Sequence, residues 1–330
     1  MPQIVPFTKS LWSAVVLGIA LLPASFAHAE DRPALGAIAN HEHVAIHVRS
    51  KPVIERLPLK VIDPVDLALS DAGHVFVADS KAECVFRLDQ HGSVSLMVEQ
   101  LQGIQRIHVD ADESLYILTS TSGESSLHQV TPAGKHVSLK TFAFPASAFV
   151  RDSVGHFVIA AQQTGRLVSY GSNGDVAEIA LLNETPLDLT LNPGGQLEAL
   201  LSSGQIVRIV ANGEVMASGF AQLGSSRLAA LQDGTLLTLS VETGRAQVLH
   251  VSRSLDRPEQ FEVLANVPAG TRSVGLDSLG NLCLANPDLR AITKVTSQFE
   301  IPCPHCGKAT RMIFSSGAEP AAVGMETRSF

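Results

Sequence analysis

One phrase recurs six times in this chain, and it constrains the fold more than any other feature. A short apolar strand runs into a turn, and a second apolar strand follows. The copies read DLALSDAGHVFVADS at 66–80, RIHVDADESLYILTS at 106–120, FVRDSVGHFVIAA at 149–161, DLTLNPGGQLEALLS at 188–202, RLAALQDGTLLTLS at 227–240 and SVGLDSLGNLCLAN at 273–286. Their turn positions are Gly73, Glu113, Gly155, Gly195, Gly234 and Gly280, spaced by 40, 42, 40, 39 and 46 residues. A second series of turns, at Gly92, Gly134, Gly174 and Gly213, advances in step at 42, 40 and 39. The long final step of the first series coincides with an insertion, VSRSLDRPEQ at 251–260.

Period-two alternation marks the phrase as strand, yet both faces are apolar: Val75 and Val77 on one, Phe76 and Ala78 on the other. A small twisted sheet that is apolar on both faces cannot bury itself. Radial stacking of such sheets covers both faces and protects the edges. The expected fold is therefore all-β, a six-bladed β-propeller over 61–297. Glycine permits the positive φ of tight hairpins. Glu113 breaks that rule, so the second unit should have a longer turn or one of another type.

The first unit resembles the NHL repeat family through Pro64-Val65-Asp66-Leu67-Ala68-Leu69, then Gly73, then Val75-Phe76-Val77-Ala78-Asp79-Ser80. Asp66 stands where that family usually has Gly, and Ser70 where it has Asp. The sixth unit resembles it through Gly275-Leu276-Asp277, Gly280-Asn281 and Ala285-Asn286. Units two to five keep the spacing and lose most of the letters. The resemblance implies a propeller whose relatives include protein-contact scaffolds, ligand sensors and metal-dependent lactonases and lyases. Fold alone selects none of these.

The ends carry other signals. Lys9, the apolar run Leu11–Phe26 broken by Pro23, and Ala27-His28-Ala29 read as a cleavable signal peptide over 1–29. That implies a periplasmic or extracellular protein with no membrane span in the mature chain. Residues 30–60 hold two extended segments, VAIHVRS and VIERLPL. One of them can supply the outer strand of the last blade, in competition with Gln298–Ile301. Residues 298–330 form a tail. Within it, Cys303-Pro304-His305-Cys306-Gly307-Lys308 reads as a local disulfide, half of a zinc-binding knuckle, or a redox motif, with Cys303 and Cys306 as the candidate zinc ligands. His41, His43 and His47 fall on one face of a strand, where they are a candidate metal cluster or simply a surface segment.

Composition excludes several partners. The formal net charge is −8 and only 17% of residues are charged, so nucleic acid and anionic membrane surfaces are poor fits. The two Tyr and one Trp, the latter inside the signal, offer few platforms for sugars. No nucleophile elbow, phosphate loop or HExxH occurs.

In a propeller the first strand of each blade borders the central channel. Seven residues before each turn position stand Asp66, Arg106, Ala148, Asp188, Arg227 and Ser273. Two Asp–Arg pairs thus fall on successive blades. They are expected either to plug the channel as ion pairs or to form a polar ligand site of Asp66, Arg106, Asp188, Arg227 and Ser273. Arginine competes with cations for carboxylates, which disfavours a catalytic metal on the axis. Cys84 and Cys283 lie on strands and read as buried thiols, with a bridge conceivable if the first and last units meet. Asp79 and Asn286 end strands and read as turn caps. The functional expectation is a binding scaffold or sensor for a partner protein or small ligand, with a metal-dependent lactonase- or lyase-like enzyme as the alternative.

Overall fold

The computed structural model describes residues 53–230, 236–242, 245–251, 262–277 and 281–296, with the short pairs 301–302 and 309–310. Every regular element among them is a strand. Strand β1 spans Val53–Arg56. Blade 1 follows as β2 (Pro64–Leu69), β3 (Val75–Asp79), β4 (Cys84–Leu88) and β5 (Val94–Val98). Blade 2 is β6 (Ile104–Val109), β7 (Leu115–Ser120), β8 (Ser125–Val130) and β9 (His136–Phe142). Blade 3 is β10 (Ala146–Arg151), β11 (Phe157–Ala161), β12 (Arg166–Tyr170) and β13 (Val176–Leu181). Blade 4 is β14 (Pro186–Leu191), β15 (Leu197–Leu201), β16 (Gln205–Ile209) and β17 (Val215–Phe220). Blade 5 is β18 (Ser225–Ala230), β19 (Leu236–Glu242), β20 (Arg245–His250) and β21 (Glu262–Val267). Blade 6 contributes β22 (Ser273–Leu276), β23 (Leu282–Asn286) and β24 (Ala291–Thr296), and a separate pair joins β25 (Ile301–Pro302) to β26 (Ala309–Thr310).

The six antiparallel sheets make a six-bladed β-propeller, as the repeat predicts. Each inner strand touches the next, and β22 touches β2 to complete the ring. β1 pairs with β24, Val53 opposite Thr296 and Arg56 opposite Thr293, so VIERLPL supplies the outer strand of blade 6. Leu57, Leu59 and Val61 then bury themselves between blades 1 and 6, against Val75, Val77 and Ile292. Gly275 allows the two blades to approach: a Cβ there would lie 2.6 Å from Leu67 Cδ1. Among the described residues no helix is long and apolar enough to cross a membrane.

The two-faced alternation has the consequence expected of it. Val75 and Val77 pack toward blade 6 with Cys283 and Ala285. Phe76 and Ala78, one residue out of phase, pack toward blade 2 with Ile104, Ile107, Leu115 and Ile117. All five residues of β3 are therefore buried, as are those of β11, β15 and β23.

The expectation of a different turn in unit 2 is corrected. Gly73 N donates to Ser70 O at 2.9 Å and Ser70 N to His74 O at 3.0 Å. Glu113 N donates to Asp110 O at 2.9 Å and Asp110 N to Ser114 O at 3.0 Å, which is the same turn. Glu113 adopts φ 62° without being glycine. A non-glycine residue in that region costs on the order of 1 kcal/mol. Its carboxylate offsets the cost by reaching into blade 1, where Ser70 Oγ donates to Oε1 at 2.8 Å and His74 Nδ1 lies 2.6 Å from the same oxygen.

Cys84 and Cys283 are buried free thiols, with no bridge between them. Burial pushes them up to about 11 and about 12, which makes both poor nucleophiles. Asp79 does cap a turn: its carboxylate accepts from the amides of Ile62, Asp63 and Ala82. Asn286 plays the matching part in blade 6, accepting from Leu289 N and donating to Ala269 O.

Candidate functional site

The site begins with a bulge. In each of the first five blades the pairing of inner and second strands slips by one residue near its start. The slips fall between 64 and 66, 104 and 106, 146 and 148, 186 and 188, and 225 and 227. The extra residues are Val65, Gln105, Ser147, Leu187 and Ser226. Each immediately precedes a predicted channel residue. A bulge re-aims the neighbouring side chain and frees its own backbone from the ladder. Both effects are used here.

Asp66, Arg106, Asp188, Arg227 and Ser273 all line one axial cavity of about 290 Å³. The sixth position, Ala148, is buried beside Val158, Ala160 and Leu189, in the packing between blades 3 and 4. The predicted Asp–Arg pairing on successive blades is corrected. Arg106 of blade 2 passes over blade 3 to Asp188 of blade 4, with Nε 3.6 Å from Oδ1. Arg227 of blade 5 passes over blade 6 to Asp66 of blade 1, with Nη2 3.4 Å from Oδ1. The physical reason lies in the bulges. Arg106 Nη2 donates to Leu187 O at 3.3 Å, and Arg227 Nη2 donates to Val65 O at 3.0 Å. Each guanidinium thus binds an aspartate together with the freed carbonyl just before it. The two skipped blades carry the small residues Ala148 and Ser273 at the equivalent position.

The carboxylates face the other way into the next blade. Asp66 Oδ2 accepts from Ile107 N at 2.9 Å, and Asp188 Oδ2 accepts from Leu228 N at 2.8 Å. The layer therefore has a pseudo-two-fold pattern, Asp–Arg–small repeated twice around six blades. It is broken at one atom. Ser273 Oγ donates to Asp66 Oδ1 at 2.6 Å. The equivalent residue on the other side is Ala148, which has nothing to donate.

Burial dominates the electrostatics. It pushes Asp188 up to about 6, opposed by the attraction of Arg106 and the hydrogen bond from Leu228. Burial likewise raises Asp66, against the attraction of Arg106 and the hydrogen bonds from Ser273 and Ile107. Arg106 thus acts on both carboxylates. The charges of two aspartates and two arginines balance when all four are ionised, and the Nε groups of both arginines are buried without a hydrogen-bond partner.

The cavity includes residues the sequence reading missed. His108 and Arg151 line it, farther along the inner strands. Arg151 pairs with Asp110 and lies 5.0 Å over the Tyr116 ring and 5.6 Å over Phe157. Burial holds His108 below the usual imidazole range. Both were findable, since they lie two or three residues beyond the channel position in their own units.

The remaining candidates stand apart from this cavity or outside the description. Cys303 and Cys306, the possible zinc ligands, lie outside the described residues. So do His41, His43 and His47, and most of the 251–260 insertion. Among the described residues, no group of three or more His, Cys, Asp or Glu side chains is placed to hold a metal.

No protein-family model matches the chain, and no curated protein matches its sequence. Solved structures do resemble it. Virginiamycin B lyase from Staphylococcus aureus superposes with a TM-score of 0.58 at 13% identity, over 75% of this chain and 99% of that one. A gluconolactonase from Xanthomonas campestris gives 0.59 at 12% identity, over 74% and 89%. An auxiliary nutrient binding protein from Bacteroides thetaiotaomicron gives 0.57 at 10% identity, over 72% and 69%. At these identities the likeness is one of fold, and the fold hosts lyase, lactonase and binding protein alike.

Proposed function

We propose that this protein is an exported, non-catalytic propeller that binds a small ligand of mixed charge in its axial cavity. One observation carries the reading: five residues spread from 66 to 273 converge on one cavity, and they present carboxylates and guanidiniums in a single layer. A plug does not need that chemistry. An apolar plug of equal volume is commonly as stable as buried ion pairs or more so. Small-ligand sites are concave and fix their ligand with a few convergent polar groups, and this cavity of about 290 Å³ presents such groups. Leu67, Ile107, Phe149, Leu189 and Leu228 complete its lining. A binding role also has a precedent on this fold in the Bacteroides protein.

The alternative, a metal-dependent lactonase- or lyase-like enzyme, needs carboxylates with free oxygens. In this layer each aspartate already accepts from a backbone amide and faces a guanidinium. Export is supported by the signal-like first 29 residues and is tested by the mature N-terminus, expected at Glu30. The functional test is a thermal-shift screen of small amino acids, hydroxy acids and divalent metals. It compares wild type with an Arg106→Gln/Arg227→Gln variant. Stabilisation of wild type alone by a charged small molecule is the expected result. Stoichiometric divalent metal in the purified protein, with metal-dependent ester hydrolysis, overturns the reading.

A further inference from the structure

We propose that His128 and His136 form a two-histidine site for a late first-row divalent cation such as zinc, on strands β8 and β9 of blade 2. The site is separate from the axial cavity and does not rest on the channel-ligand reading. Two neighbouring strands supply the pair. Val130 of β8 stands opposite His136 of β9, and His128 stands opposite Ser138. Both imidazoles therefore project from one face of the sheet as diagonal neighbours. His128 Nδ1 lies 3.2 Å from His136 Nε2, while the ring centroids are 5.2 Å apart. The rings thus face each other through these two nitrogens. Two nitrogens on one tetrahedral zinc stand about 3.3 Å apart, since Zn–N bonds are about 2.0–2.1 Å long. The pair is already set at that spacing.

The other nitrogen of His128 is engaged. Thr119 Oγ1 lies 3.2 Å from His128 Nε2 and donates to Ser126 O at 3.3 Å. A hydroxyl has one proton to give. With that proton on Ser126 O, Thr119 accepts from His128 Nε2–H, which leaves the Nδ1 lone pair facing His136. Metal-bound histidines are oriented in this way, by a partner on the second ring nitrogen. Burial, reinforced by His136, pushes His128 down to about 4, so near neutral pH the ring offers a lone pair rather than a charge. His128 is buried, whereas His136 and Ser138 are exposed. An ion would enter from the β9 side and keep water in its remaining positions. Imidazole suits zinc, copper and nickel, which sets the class of cation.

The test is equilibrium dialysis of the purified full chain against Zn²⁺ near neutral pH, comparing wild type with His136→Gln. The histidines before the propeller and the cysteines after it are the same in both, so the difference isolates the pair. The variant is expected to bind one zinc fewer per chain. His136 is exposed, and a thermal melt without metal checks that the variant folds. Zinc is expected to raise the melting temperature of wild type more than that of the variant. Thr119→Val keeps the shape and removes the orienting oxygen, and is expected to weaken this zinc about tenfold.

Equal zinc content in wild type and His136→Gln overturns the site and leaves the two rings sharing a proton. Zinc held at wild-type strength by Thr119→Val overturns the role of Thr119 in presenting the Nδ1 lone pair.

Discussion

The two halves of the channel layer share one plan and differ by one hydroxyl. Asp66 of blade 1 is held by three kinds of donor: the Ile107 amide of blade 2, the Arg227 guanidinium of blade 5 and the Ser273 hydroxyl of blade 6. Asp188 of blade 4 has the first two kinds only, the Leu228 amide of blade 5 and the Arg106 guanidinium of blade 2. One small residue in one copy of a repeat thus changes how firmly an equivalent carboxylate is held, although both line the same cavity.

Substitutions test that contrast at different strengths. The largest effect is expected from Asp66→Ala, which leaves Arg227 buried without its partner and should cost about 3–5 kcal/mol. Asp188→Ala should cost less by about 1–2 kcal/mol, having fewer hydrogen bonds to lose. Urea denaturation of the two variants ranks the halves, and equal costs would erase the distinction.

The pH dependence is the next lever. The Asp188 carboxyl is raised from 3.8 to about 6 in the folded chain, so the native state holds a proton that the unfolded state releases. Its contribution to stability is therefore full below about pH 4 and is lost as pH rises through about 6, by something on the order of 2 kcal/mol. Asp188→Asn should flatten that part of the stability curve. Ala148→Ser, which donates to the charged form, should pull the carboxyl down and move the loss to lower pH. A curve unaltered by either change would remove Asp188 from the account.

Smaller still is the hydroxyl itself. Ser273→Ala should cost about 1–2 kcal/mol by chemical denaturation, whereas Ala148→Ser should be neutral or slightly stabilising. A similar contrast holds among the turns. Glu113→Ala loses the contacts to Ser70 and His74 and keeps the φ of 62°, so it should be less stable than Glu113→Gly by about 1 kcal/mol. Equal melting temperatures would show that the backbone at Glu113 carries no strain.

Much of this was legible in the chain. Period-two strands at a 40-residue spacing require radial stacking, and counting back from each turn reached the five polar residues that line the cavity. The pairing between them was not legible. It depends on the bulges at Val65 and Leu187, whose freed carbonyls draw each arginine past its neighbour to the aspartate two blades on. A one-residue slip flips side chains to the other face, and where both faces are apolar the hydrophobic pattern does not show it. The turn at Glu113 was misread for a related reason. Glycine marks a turn through its own backbone, but Glu113 is held by Ser70 and His74, 43 and 39 residues away in sequence.

Double-mutant cycles test the crossed pairing most directly. Arg106→Met is combined in turn with Asp188→Asn and Asp66→Asn, and Arg227→Met likewise, with stability read by urea denaturation. The expected result is a larger coupling energy for Arg106 with Asp188 and for Arg227 with Asp66 than for either adjacent-blade combination. Larger coupling of Arg106 with Asp66 and of Arg227 with Asp188 would contradict the crossed layer.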